Sequence, residues 1–120
     1  MEISIKTIPH NQQRYETVGD YWWENGNLQI RVSDMGNQDF EYLVAEHELK
    51  EAYLCKKRGI KEPDIMAFDI AHPNSDDPGS EPDAPYYKEH FFTEAIERLI
   101  AGQLNINWQE YGKAIEKLFK

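Results

Sequence analysis

Hydrophobic positions change their period along this chain. Ile3, Ile5 and Ile8 lie among Ser4, Lys6 and Thr7 and are followed by Pro9, which predicts a short N-terminal strand. Tyr21-Trp22-Trp23-Glu24, then Asn25-Gly26, then Asn27 to Ser33 predict a β-hairpin, because Asn-Gly readily takes the positive φ that a tight hairpin turn requires. Leu28, Ile30 and Val32 share one face of its second strand and Gln29, Arg31 and Ser33 the other, so one face should be buried. From Gln38 to Arg58 the repeat becomes helical, and Gly59 is a natural stop. A second helix is expected from Pro63 to about His72, with Asp64 favourable at its N-terminus. A third should cover Tyr86 to Ala101, ended by Gly102, and a fourth Trp108 to Phe119, with Asn107 as N-cap. Residues 73–85 hold four of the six prolines, four acids and no basic residue, and so read as an exposed loop. Strands first and helices after, in 120 residues without an internal repeat, predict one α+β domain over residues 1–120. Its expected architecture is a small antiparallel sheet packed on about four helices.

Charge narrows the partners. Lys and Arg number 13 against 22 Asp and Glu, a formal net charge of −9. That balance argues against nucleic acid and anionic membranes as ligands, since both are polyanions. It leaves room for a nucleotide enzyme that borrows its positive charge from a divalent metal. The lone Cys55 allows no intramolecular disulfide and suits a reducing compartment. MEISIKTIPH lacks a continuous apolar stretch, and no apolar run approaches the ~20 residues that span a bilayer, so a cytoplasmic protein is expected.

The chemistry concentrates in Glu46-His47-Glu48-Leu49-Lys50-Glu51. On a helical wheel His47 and Glu51 fall in the middle of the stripe formed by Phe40, Leu43, Val44, Leu54 and Cys55. Ala45, Leu49 and Ala52 form a second apolar strip behind it, so this helix should be covered on both sides. A carboxylate in such a stripe costs several kcal/mol unless it is paired. One turn apart, His47 and Glu51 can pair with each other or hold one metal ion together. Glu48, at the flank of the stripe, can then reach a water on that ion and act as general base. A third ligand would come from Asp69, His72 or His90. Asp69 shares a face with Ile65 and Met66, whereas His90 lies opposite the apolar side formed by Phe91, Phe92, Ala95, Ile96, Leu99 and Ile100.

His47-Glu48-x-x-Glu51 resembles the HExxH helix of zincin-type metallopeptidases, with the second histidine replaced by glutamate. That resemblance implies His47 and Glu51 as ligands, Glu48 as base, a peptide or protein substrate, and zinc as the metal. The glutamate makes manganese or iron plausible as well. It also implies that the strand Leu28–Ser33 is the edge strand that receives extended substrate. The whole chain is similar to a group of small bacterial and phage proteins through Arg31 to Gly36, His47 to Cys55, Phe68-Asp69 and Pro85 to His90. This second likeness implies no activity, but it favours His90 over Asp69 as third ligand. By analogy Tyr86 and Tyr87 would steady an oxyanion, and the acidic loop is long enough to form a lid.

Two other functions compete. Glu48-x-x-Glu51 with the Asp64–Asp69 stretch faintly resembles the carboxylate motifs of all-helical, magnesium-dependent nucleotide pyrophosphohydrolases, although the second acid expected at Ile65 is absent. Alternatively the chain is a non-catalytic interaction protein whose His-Glu pair or metal is structural. His10, beside Pro9, reads as a surface residue, and one of Trp22 and Trp23 as core, the other as an exposed contact.

Overall fold

The computed structural model describes residues 1–119. Three strands, β1 (Ile3–Ile8), β2 (Gly19–Glu24) and β3 (Asn27–Ser33), precede four helices: α1 (Gln38–Lys57), α2 (Glu62–Ala71), α3 (Tyr87–Gln103) and α4 (Trp108–Leu118). This is the α+β arrangement expected from the sequence.

The hairpin forms where the Asn-Gly pair lies: Asn25 and Gly26 take φ of 53° and 78°, and β2 and β3 run antiparallel with Tyr21 opposite Ile30. The sheet as a whole is mixed rather than antiparallel. Its order is β1-β3-β2, and β1 runs parallel to β3 with Ile5 beside Ile30. Residues 9–18 make this possible by carrying the chain from one sheet edge to the other. They are tied down on the way: His10 Nδ1 lies 2.8 Å from Ser33 Oγ, and Gln13 Nε2 donates to the carbonyls of Val18 and Arg31. His10 is therefore a partly buried strut and not a surface residue. Placing β1 on the outside makes β3 the central strand, so Leu28–Ser33 is not an edge and cannot receive a substrate strand.

The apolar face of β3 (Leu28, Ile30, Val32) is buried as its alternation predicted, and it packs with Leu43, Val44, Ala52 and Cys55 of α1. Asn37 caps α1 by accepting from the Phe40 N–H at 3.1 Å, and Gly59 at φ 73° follows its end. Asn107 caps α4 through the Glu110 N–H. Helix α3 runs past Gly102 to Gln103, and the left-handed residue after it is Asn105 at φ 57°. Trp22 and Trp23 are both half-buried, and neither is core. Arg14 and Arg31 lie over the Trp22 ring and Lys56 over that of Trp23.

The main departure concerns the orientation of α3. Its apolar side faces out, with Phe91 65%, Phe92 52% and Leu99 68% exposed. Its polar side, Glu89, His90, Thr93 and Glu97, faces in against α1. Among the described residues, no helix is long and apolar enough to cross a membrane.

Candidate metal centre

Helix α1 presents His47 and Glu51 on one face, one turn apart, and the inward face of α3 brings His90 to them. His47 Nε2 lies 2.8 Å from Glu51 Oε2, His90 Nδ1 lies 2.9 Å from the same oxygen, and the two nitrogens are 3.1 Å apart. Three donor atoms this close lie within reach of one ion at the ~2.0–2.1 Å typical of zinc–nitrogen and zinc–oxygen bonds. All three residues are at least nine-tenths buried.

The outer ring nitrogens explain how the inner ones are aimed. His47 Nδ1 lies 2.6 Å from Glu97 Oε1, and His90 Nε2 lies 2.8 Å from Asp77 Oδ1. Each imidazole thus donates its outer N–H to a carboxylate, which orients the ring and, when the ring is neutral, leaves the inner nitrogen with a lone pair. Glu97 is held in turn by the Tyr111 hydroxyl. Two carboxylate-backed imidazoles and a third carboxylate therefore converge on one point, the two-histidine, one-carboxylate set that zinc, manganese or iron accepts.

With no cation present, the cluster is held by protons. Burial pulls the His47 imidazolium down, but Glu51 and Glu97 outweigh it and hold the group well above the ordinary histidine range. Burial likewise opposes the His90 cation, and its bonds to Asp77 and Glu51 overcome this, raising it to about 10. Glu51 would be raised by burial, yet the two histidines hold it down to about 2. Glu48 goes the other way: burial and then the neighbouring Glu51 charge push it well above the carboxylate range. Two glutamates three residues apart therefore take opposite roles, one a permanent anion and one a group with raised proton affinity.

Glu48 accepts no hydrogen bond from the described residues and lines a cavity of about 290 Å3 together with His47, Glu51 and His90. Gly19 of β2 leaves room for it. A Cβ at that position would fall 2.7 Å from Glu48 Oε1 and 2.8 Å from Val44 Cγ1. Gly79, in the acidic loop, does the same for His90: its Cβ would fall 2.5 Å from the imidazole ring. The loop is thus a fitted wall of the site, supplying Asp77 to His90 and backbone to the ring face.

The remaining candidates lie elsewhere. Asp69 lines the cavity but accepts from the hydroxyls of Tyr15 and Tyr86 and is not among the three donors. The Tyr86 proton is thereby committed to Asp69, and Tyr87 does not line the cavity. His72 bonds the Phe68 carbonyl and stacks on the Phe68 ring, at the end of its own helix. Ser33, His10 and Glu16 are linked in the manner of a nucleophile–base–acid relay, but Ser33 is 0% exposed and out of reach of any substrate.

Sequence reasoning missed Glu97, Asp77, Gly19 and Gly79. Glu97 carried a usable signal: it follows His90 by seven residues, on the same helical face, with Thr93 and Ala101. The loop and β2 residues carried none, because only the fold brings them to α1. No family model, curated protein or solved structure matches this chain.

Proposed function

We propose that the protein is a small metal-dependent hydrolase of zincin type, acting on a peptide or amide bond. The observation that supports it is the convergence of His47 Nε2, Glu51 Oε2 and His90 Nδ1, with each imidazole backed by a carboxylate and an unpartnered Glu48 beside them. His47, Glu51 and His90 would hold the ion, zinc before manganese or iron. Such an ion acidifies a bound water and polarises a carbonyl. Glu48 would take the water's proton, a role suited to a carboxyl of raised proton affinity that faces open cavity. Glu97 and Asp77 keep the two rings in register.

Substrate would be received in the cavity rather than by strand addition. Two outward carbonyls of β2, the edge strand beside the site, are occupied: Arg14 donates to Tyr21 and Thr17 to Gly19. The deciding experiment is Glu48→Gln. Metal content of untagged protein and cleavage of a peptide library are measured on both proteins. We expect about one ion per chain in each and a loss of roughly 10²–10⁴-fold in rate in the variant. Wild-type protein without metal, or a variant cleaving at the wild-type rate, overturns the reading.

One observation favours a second reading, a non-catalytic interaction protein whose metal or ion cluster is structural: the exposed Phe91, Phe92 and Leu99. Under that reading Glu48→Gln is silent, whereas His47→Ala unfolds the chain. The nucleotide reading has less support, since Asp64 is exposed and does not line the cavity.

A further inference from the structure

The two edges of the sheet are unlike. At the β2 edge, beside the metal centre, Thr17 and Arg14 hold the outward carbonyls of Gly19 and Tyr21. The other edge is β1, on the far side of β3. There the Leu28 N–H donates to the Glu2 carbonyl and the Asp34 N–H to that of Ile8. Peptide groups alternate along a strand, so Glu2, Ser4, Lys6 and Ile8 turn theirs toward β3, and Ile3, Ile5 and Thr7 turn theirs outward. Among the described residues no donor or acceptor meets those outward groups. The strand holds neither proline nor glycine, and its register with β3 is unbroken from Ile3 to Ile8. Such an edge is a template for another strand.

The side chains of β1 say which strand fits. Ile3 and Ile5 lie in register with Leu28 and Ile30, on the face that packs on α1, yet they are 44% and 47% exposed. Glu2, Ser4 and Lys6 take the opposite face, where Lys6 is in register with Arg31, like charge beside like. Among the described residues neither Glu2 nor Lys6 has an ion-pair partner. Glu2-Ile3-Ser4-Ile5-Lys6 is a chemical palindrome, with isoleucine on each side of Ser4 and opposite charges at the ends. Run antiparallel to itself about Ser4, it sets Glu2 against the partner's Lys6 and Ile3 against the partner's Ile5. The backbone selects the same alignment. Ile3 and Ile5 both point outward and can exchange both hydrogen bonds, which puts Glu2 and Lys6 at the intervening positions, where opposed side chains come closest. A slip of two residues sets Glu2 against Ser4 or Ile8 and loses both ion pairs.

We propose that β1 is a homodimer interface, through which two copies of this chain join antiparallel about Ser4 into one six-stranded sheet. The join is two-fold symmetric, so each chain gives the same strand and receives it. Four isoleucines meet on the helix side and two ion pairs on the other. Each Lys6, crowded by Arg31, gains a carboxylate. Net charge of −9 on each chain opposes association at long range, but physiological salt screens that repulsion beyond about 8 Å and leaves contacting pairs. Both β2 edges, with the metal centres beside them, stay at the outer ends of the joined sheet. Nothing in this proposal depends on the hydrolase reading.

Sedimentation equilibrium of the full chain, with amide hydrogen exchange, tests it. Wild-type protein should pass from monomer to dimer between micromolar and millimolar concentration, and exchange at the Ile3 and Ile5 amides should slow in step. Glu2→Lys and Lys6→Glu, both at exposed positions, set like charges opposite each other and should each weaken the dimer at least ~10-fold. An equal mixture of the two variants restores both opposite-charge pairs in the mixed dimer and should return to within about 3-fold of wild type. Phe91→Ser with Leu99→Ser, on the exposed face of α3, should leave the dimer unchanged. A monomer at millimolar concentration overturns the proposal. So does a dimer that the α3 substitutions abolish, or one that leaves the Ile3 and Ile5 amides unprotected. Charge variants that do not recover when mixed overturn the alignment about Ser4, and the proposal with it.

Discussion

Helix α1 has two buried sides of opposite chemistry. Against the sheet, Leu43, Val44, Ala52 and Cys55 meet Leu28, Ile30 and Val32, all 3% exposed or less. Against α3, His47 and Glu51 meet His90, Thr93 and Glu97, at 8% or less. Nearly equal burial has different consequences on the two sides. Hydrocarbon leaving water stabilises the first side by about 25 cal/mol per Å2. The second side loses the hydration of four ionisable groups, and only their mutual bonds, or a cation, offset that loss. To build it, α3 turns Phe91 and Leu99 out to solvent. Exposing two large apolar side chains and burying carboxylates on the same helix runs against hydrophobic burial, so the orientation of α3 follows the polar cluster and not its apolar stripe.

The sharpest way to break this comparison is to damage each side and ask whether zinc notices. Ile30→Ala should cost about 2–5 kcal/mol by leaving a cavity under the sheet. Zinc at 1,000 times its dissociation constant should add about 4 kcal/mol to the wild type. Thermal or urea unfolding with and without zinc should show that increment intact in Ile30→Ala and absent in Glu51→Gln. If Glu51→Gln keeps the increment, zinc stabilises the chain from somewhere else.

The cavity wall between these regions has its own signature. Burial raises Asp69 to about 6, against the pull of the Tyr86 and Tyr15 hydroxyls. A carboxyl whose folded value lies above its unfolded one stabilises fully at low pH, and that stability is lost as pH rises through the folded value. The stability of the metal-free protein should therefore fall between about pH 4 and pH 6, by at most about 3 kcal/mol from this group. Asp69→Asn should flatten that part of the profile. An unchanged slope in the variant would mean that Asp69 is not the group responsible.

The hydrocarbon side was legible in the sequence and the polar side only in part. Alternation along Leu28, Ile30 and Val32 and the Asn25-Gly26 turn are local signals, read within a few residues. The placement of His47 and Glu51 on the inner face of α1 was local too. The orientation of α3 was not, because a hydrophobic pattern predicts the inward face only when hydrophobic burial decides it. Here the inward face carries His90 and Glu97, and periodicity pointed the wrong way by about half a turn. The parallel pairing of β1 escaped for a different reason. It depends on where residues 9–18 lead the chain, and no short pattern in β1 encodes that.

The finest cut lies within the polar side, between groups that would touch an ion and groups that only aim them. Glu97 touches no ion under this reading. It accepts from His47 Nδ1 and from the Tyr111 hydroxyl, so its work is to fix one ring. Glu97→Gln keeps the size of the side chain and an acceptor oxygen but removes the charge that favours the proton on Nδ1. Loss of such a partner weakens metal binding by about 10–100-fold, equivalent to about 1.4–2.7 kcal/mol. Competition against a fluorescent zinc chelator measures the change directly. Tyr111→Phe, which leaves Glu97 in place and removes one of its donors, should cost less. Were Glu97→Gln to unfold the protein whether or not zinc is present, Glu97 would belong to the scaffold and not to the centre.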